Sequence, residues 1–130
     1  MTNSYKPKQD WTKEALQEYV DRIGPWHYCH QLPYGIVTGT SKPDQCPDKM
    51  DRLIAHGAFD RPVYNRVLDL GANSGIVSMW FADIKKSNVD AIEAGIKYYP
   101  QLELAVDLKD YSDTITVYES DIRFWKYPKN

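Results

Sequence analysis

The run Val67-Leu68-Asp69-Leu70-Gly71-Ala72-Asn73-Ser74-Gly75 constrains this chain more than any other stretch. A short apolar segment ends on a carboxylate, passes through two glycines, and opens into Ile76-Val77-Ser78-Met79-Trp80-Phe81. That is the pattern of a buried strand, a tight turn and a helix lying back on the same sheet. The pattern then repeats. Asn88–Glu93 reads as a second strand ending on Glu93, and a helix runs from about Pro100, a residue suited to a first turn, to about Lys109. Thr114–Glu119 reads as a third strand, with Asp121 just past its end. Strands Arg66–Leu70, Asn88–Glu93 and Thr114–Glu119 alternating with helices predict an α/β fold, a parallel sheet with right-handed crossovers.

Upstream, Trp11, Ala15, Leu16, Tyr19, Val20 and Ile23 recur on one helical face, with Asp10 or Thr12 as the cap and Gly24-Pro25 as the stop. Trp26 to Leu32 alternates as a strand does, and Pro33-Tyr34-Gly35 turns it into Ile36-Val37-Thr38, giving a hairpin. Gly39 to Pro47 is loop-like. Met50, Leu53 and Ile54 mark a short helix behind Asp48, closed near Gly57. The expected organisation is a disordered tail over 1–10, a lead-in of helix and hairpin over 11–65, and the α/β unit over 66–130.

At 130 residues the chain has room for one domain with a core. Its formal net charge of -2 and the lack of a lysine or arginine block give no support for non-specific nucleic-acid binding. No signal peptide is visible, and no apolar stretch is long enough to span a bilayer. Cys29 and Cys46 in a chain without a secretion signal are expected to be reduced thiols, and the expected location is the cytoplasm. His27, Cys29, His30 and Cys46 are a poor zinc set. On a strand His27 and Cys29 point one way and His30 the other, and no C-x-x-C pair supports them, so no metal is expected.

Turns that follow parallel strands lie at the carboxyl edge of the sheet, where open α/β folds bind ligands. Gly71 and Gly75 let the chain turn tightly and let a ligand approach without meeting a Cβ. The helix behind them offers N–H groups to an anion. A dinucleotide fingerprint needs G-x-G-x-x-G, whereas Asn73 stands where the middle glycine belongs, and the lysine of a P-loop is absent. Asp69 opposes a pyrophosphate and suits an ammonium. Glu93 follows the glycines by about 20 residues, the place of a group that binds ribose hydroxyls. Asp121 offers an acceptor to an adenine amino group with Ile122 against the ring, or else it caps whatever follows.

Together Asp69-x-Gly71-x-x-x-Gly75, Glu93 and Ser120-Asp121-Ile122 resemble class I S-adenosylmethionine-dependent methyltransferases. The resemblance implies a seven-stranded Rossmann-like sheet with S-adenosylmethionine over its first half. Carried over, Asp69, Gly71 and Gly75 would hold the methionine end, Glu93 the ribose, and Asp121 with Ile122 the adenine. Ala72, Asn73 and Ala94 would complete the lining. No residue is identified as the general base. The segment from Pro25 to Thr38, with Trp26, Leu32-Pro33, Gly35 and Thr38, is similar to the lead-in of the tRNA wobble-uridine carboxymethyl-transferase group. That group's Pro-Gly after the threonine is Gly39-Thr40 here. The runner-up resemblance is to the sugar and polyketide O-methyltransferases, which also use an Asp-x-Gly-Ala-Asn-x-Gly turn and of which this chain would then be a fragment.

The implied acceptor is an RNA base or a small-molecule oxygen or nitrogen, with no membrane partner. A non-catalytic nucleotide-binding or assembly module is the alternative. The resemblance also calls for strands beyond the third, which makes Arg66–Leu70 an open edge. The reading adopted is a fragment or truncated reading frame, which alone should self-associate through that edge. The alternatives are a chain whose edge is natively covered by a second copy or, in part, by the N-terminal hairpin.

Overall fold

A computed structural model describes residues 11–39, 42–43 and 45–127. The tail expected over residues 1–10 lies outside the described residues. Helix α1 spans Lys13–Arg22, α2 Pro47–Ala55, α3 Ile76–Lys85 and α4 Gly95–Leu108. Strands β1 (Arg66–Leu70), β2 (Asn88–Glu93) and β3 (Ile115–Glu119) form one parallel sheet in the order β1-β2-β3. The α/β expectation and its three strands therefore stand. No helix among the described residues is long and apolar enough to cross a membrane.

Thr12 is the cap of α1, its hydroxyl accepting from the Ala15 N–H at 3.1 Å. Leu16 and Val20 on the inner face of α1 join Leu32, Ile36 and Leu104 in a buried cluster, so α1 and the lead-in lie against α4. Gln101 fastens the junction, its side-chain amide donating to the Ile23 and Pro25 carbonyls at 2.8 and 2.9 Å. For this reason α4 is buried on both sides over Gln101–Asp107.

Two expectations change. The hairpin strand from Trp26 to Leu32 is absent; what remains is one antiparallel bridge, Gln31 with Val37. Its two backbone bonds are Leu32 N–H to Ile36 carbonyl and Thr38 N–H to His30 carbonyl. Beyond it the Thr38 hydroxyl takes over, accepting from the His30 N–H and donating to the Tyr28 carbonyl. A side chain has replaced the next rung, so the ladder ends after one bridge, and Tyr28, Cys29 and His30 are buried in succession. The second change is α4, which starts at Gly95, so that Pro100 lies inside it. The N–H that proline lacks would have bonded the carbonyl of Ile96, a residue exposed in the first turn.

Register shows what the sheet covers. Val67, Val89, Ala91, Ile115 and Val117 share one face with Met79, Leu102, Ala105 and Val106, so α3 and α4 lie on the same side. The opposite face carries Arg66, Leu68, Leu70, Asp90, Ile92, Thr116 and Tyr118. There Arg66 pairs with the buried Asp90 at 2.7 Å, and the C-terminal segment lays Trp125 on Tyr118 and Tyr127 under Arg66. Leu68 and Leu70 remain 38% and 52% exposed. Among the described residues no strand pairs with the outer edge of β1, and the lead-in hairpin sits over α4 instead.

Candidate functional site

The parallel register brings the three strand ends to one edge. The Gly71 and Ala72 N–H groups both donate to the Ile92 carbonyl, and the Ser120 N–H donates to the Glu93 carbonyl. Glu93 thus stands between the glycine turn and the end of β3. Its Oε1 accepts from the Asn73 N–H at 2.7 Å and its Oε2 from the Ala94 N–H at 3.0 Å. A carboxylate has about four acceptor sites, so two are engaged and the half-exposed group retains capacity for hydroxyl donors.

The turn itself is built from left-handed residues: Gly71 at φ 72°, Asn73 at φ 55° and Gly75 at φ 95°. Asparagine is among the few non-glycine types that accept this region, which lets Asn73 occupy the place of a middle glycine. Its Oδ1 accepts from the Ser74 N–H at 2.7 Å. The two glycines meet different surroundings. A Cβ on Gly71 would have no atom within 4 Å, whereas on Gly75 it would meet Leu102 Cδ1 at 2.8 Å. Gly71 therefore faces open space and Gly75 faces the core. Ala72 is buried beneath the turn; Ala94 is exposed and precedes α4.

Asp69 faces the start of α3, accepting from the Ser78 hydroxyl at 2.6 Å. Burial raises its pKa, while the Ser78 hydrogen bond, the charge of Lys49 and the Ser78 backbone N–H oppose the shift. Lys49 reaches over from α2 and donates to the Tyr28 hydroxyl. The raised value fixes a sign. A carboxyl whose folded pKa lies above its unfolded one stabilises the fold fully below the unfolded value, and that contribution is lost as pH rises through the folded value. Asp69→Asn keeps an acceptor for Ser78 and removes the charge. It should therefore melt above the wild type at pH 7, with the gap shrinking towards pH 3.5 in a fluorimetric melting series. A variant that melts lower across the whole range would contradict this assignment.

Asp121 is engaged with Arg123. Its Oδ2 lies 2.6 Å from the Arg123 guanidinium, and its Oδ1 accepts from the Arg123 backbone N–H at 2.9 Å. The Arg123 hydrogen bonds, side-chain and then backbone, hold its pKa at about 2. The Asp121 carbonyl also closes the following turn by accepting from the Phe124 N–H. Ile122 beside it is half exposed.

Several residues at this edge carry no sequence signal as strong as the glycines. Gly95 sits two residues past Glu93 at φ 72°, and a Cβ there would also meet nothing within 4 Å. The spacing Glu-x-Gly was the available sign. Ile96 follows, 94% exposed. His30 is buried against Ser74 at 2.9 Å, a contact that closes only when the lead-in folds over the turn. His27, by contrast, is exposed and lies edge-on to the Tyr28 ring.

No family model matches the chain, and no curated protein sequence matches it. Solved structures do. The N-terminal domain of EvdMO1, in the presence of SAH and D-fucose, superposes over 89% of this chain and 48% of that one, at 18% identity and a TM-score of 0.66. TYW2 from P. horikoshii, in complex with MeSAdo, covers 75% of this chain and 37% of its own at 21% identity and a TM-score of 0.52. A Klebsiella pneumoniae protein assigned as an O-methyltransferase covers 85% and 43% at 15% identity and a TM-score of 0.51. The chain spans about half the length of the EvdMO1 domain. What it shares with all three is the fold: part of a Rossmann-like α/β domain of the kind found in methyltransferases.

Proposed function

We propose that this chain is the cofactor-binding part of an S-adenosylmethionine-dependent methyltransferase. The observation that carries the reading is the Glu93 carboxylate, anchored on the Asn73 and Ala94 N–H groups beside the open space at Gly71. The lining fits this cofactor better than a dinucleotide. Asp69 and Glu93 put two carboxylates on one edge, where a pyrophosphate would be repelled and an ammonium and hydroxyl groups would be held, while the charge of Asp121 is balanced by Arg123. Asp69 would face the ammonium and Glu93 the ribose. Ile96 and Ile122, two aliphatic side chains left in water at this edge, would flank the adenine, with Asp121 accepting from its amino group. That SAH accompanies the EvdMO1 domain supports the same reading.

When bound, the cofactor supplies an electrophilic methyl on a sulfonium for attack by a substrate oxygen or nitrogen. This chain's part is to hold and orient it. The acceptor we propose is a small molecule, since the near-neutral charge offers no grip for RNA; an RNA base is the alternative, in keeping with the lead-in. The setting we propose is the cytoplasm, in which Cys29 and Cys46 persist as thiols. The unpaired outer edge of β1, with Leu68 and Leu70 exposed beside it, favours one other reading, a nucleotide-binding assembly module, which would bind SAH and transfer nothing.

Isothermal titration with S-adenosylhomocysteine and NAD tests the reading, and the first should bind more tightly. Preference for NAD would sink it. Glu93→Ala should weaken S-adenosylhomocysteine by about 1–3 kcal/mol, the range for lost charge-assisted hydrogen bonds. Gln should recover part of this, since its one carbonyl oxygen can still serve Asn73 or the ribose. Unchanged affinity in Glu93→Ala would remove the ribose contact.

A further inference from the structure

His30 lies wholly out of solvent between two elements distant from it in sequence. Its Nε2 stands 2.9 Å from Ser74 Oγ in the glycine turn, and its Nδ1 stands 3.1 Å from Lys109 Nζ just past α4. An ammonium has only hydrogens to give, so Nδ1 accepts. The ring hydrogen then rests on Nε2 and is donated to Ser74. The ring is not free to swing. The His30 N–H donates to Thr38 Oγ1 at 2.8 Å, its carbonyl accepts from the Thr38 N–H at 3.0 Å, and Trp26 packs edge-on at 6.0 Å.

From Ser74 the line continues through the turn. The Ser74 N–H donates to Asn73 Oδ1 and the Asn73 N–H to Glu93 Oε1, both at 2.7 Å. Asn73 holds a left-handed backbone, which non-glycine residues seldom adopt, so this turn depends on what holds its neighbours. We propose that His30 is a positioning residue for the cofactor turn: by fixing Ser74 it sets Asn73 and hence the Glu93 carboxylate, so that the docked lead-in governs cofactor affinity. The inference rests on the cofactor reading above.

The test is titration of S-adenosylhomocysteine into His30→Leu, His30→Gln and Ser74→Ala, with amide hydrogen exchange of the turn measured on ligand-free protein. Ile115→Ala, at the opposite end of the strands, controls for loss of stability alone. His30→Leu and Ser74→Ala should each bind about tenfold more weakly, the effect of one buried hydrogen bond, and should exchange faster over Ala72–Gly75. His30→Gln, whose amide can still donate to Ser74, should recover most of both. Ile115→Ala should melt earlier with its affinity intact. If His30→Leu does not fold, Ser74→Ala and His30→Gln still decide. Wild-type affinity in Ser74→Ala, or a loss in His30→Gln as deep as in Ser74→Ala, would overturn the proposal. If the wild type itself does not bind S-adenosylhomocysteine, the cofactor reading fails. The ligand-free exchange then judges His30 alone, and a turn that exchanges equally in all variants would overturn its role.

Discussion

Gly75→Ala is expected to destabilise the chain by about 3 kcal/mol, lowering the melting temperature by roughly 10 °C. Two costs add. At φ 95° an alanine is held where L side chains rarely sit, and its Cβ would lie 2.8 Å from Leu102 Cδ1 with Met79 Cε at 3.6 Å behind. Leu102 is fully buried in the cluster between α4, α3 and the sheet, so it cannot swing aside without opening the core. Gly71→Ala should behave differently. Its backbone is as strained, at φ 72°, but nothing lies within 4 Å of the new methyl, so only about 1–2 kcal/mol of backbone cost applies. The methyl would instead enter the space assigned to the ligand, and S-adenosylhomocysteine binding should be lost in a protein that still folds. Thermal melts and titrations of both variants separate these roles. A Gly75→Ala protein that melts with the wild type would show that the core yields there.

The contrast marks where sequence reading stops. Both glycines are visible as a turn, and so are the strands, because apolar runs of five or six residues ending on an acid repeat at a regular interval. The distinction between a glycine required by the core and one required by open space depends on Leu102, which arrives from α4. The same holds for the lead-in. Alternation from Trp26 to Leu32 argues for a strand, yet the Thr38 hydroxyl takes the rung that a strand would have used. That substitution becomes favourable only once Tyr28, Cys29 and His30 are buried together. Pro100 misleads for a related reason. Its preference for a first turn is real, but burial of Tyr99 and Leu102 on both sides of α4 outweighs one missing hydrogen bond, and the helix begins a turn and a half earlier. Asp121 reads equally well as a ligand acceptor or a cap, and Arg123, two residues on, gives it a partner that spacing alone did not suggest.

A solution of this chain alone is expected to contain dimers or larger species joined along the outer edge of β1. The hydrogen-bond parity identifies the groups involved. Asn65 offers its carbonyl to Asn88 and Gly71 its N–H to Ile92, so the odd-numbered residues between them turn their backbone towards β2. Arg66, Leu68 and Leu70 turn theirs outward, and the edge has no proline, lysine or bulge to discourage pairing. This set is symmetric about Leu68. Two copies running antiparallel would match each outward N–H with a carbonyl of the other, place their Leu68 side chains side by side and set Leu70 of each opposite Arg66 of the other. The far edge, at β3, is less inviting, because the C-terminal segment flanks it and leaves a cleft of about 480 Å³ between Tyr99, Glu119, Trp125 and Lys126. Leu68→Lys puts a charge at the exposed margin of the second face without touching the ladder to β2, and should return the protein to a monomer with little loss of stability. Val67→Lys, aimed at the buried face with Met79 and Val89, should unfold it instead. Sedimentation velocity over a hundredfold concentration range measures the first effect and a thermal melt the second. A wild type that sediments as a monomer throughout, or a Leu68→Lys protein that associates as the wild type does, would show that this edge is satisfied in some other way.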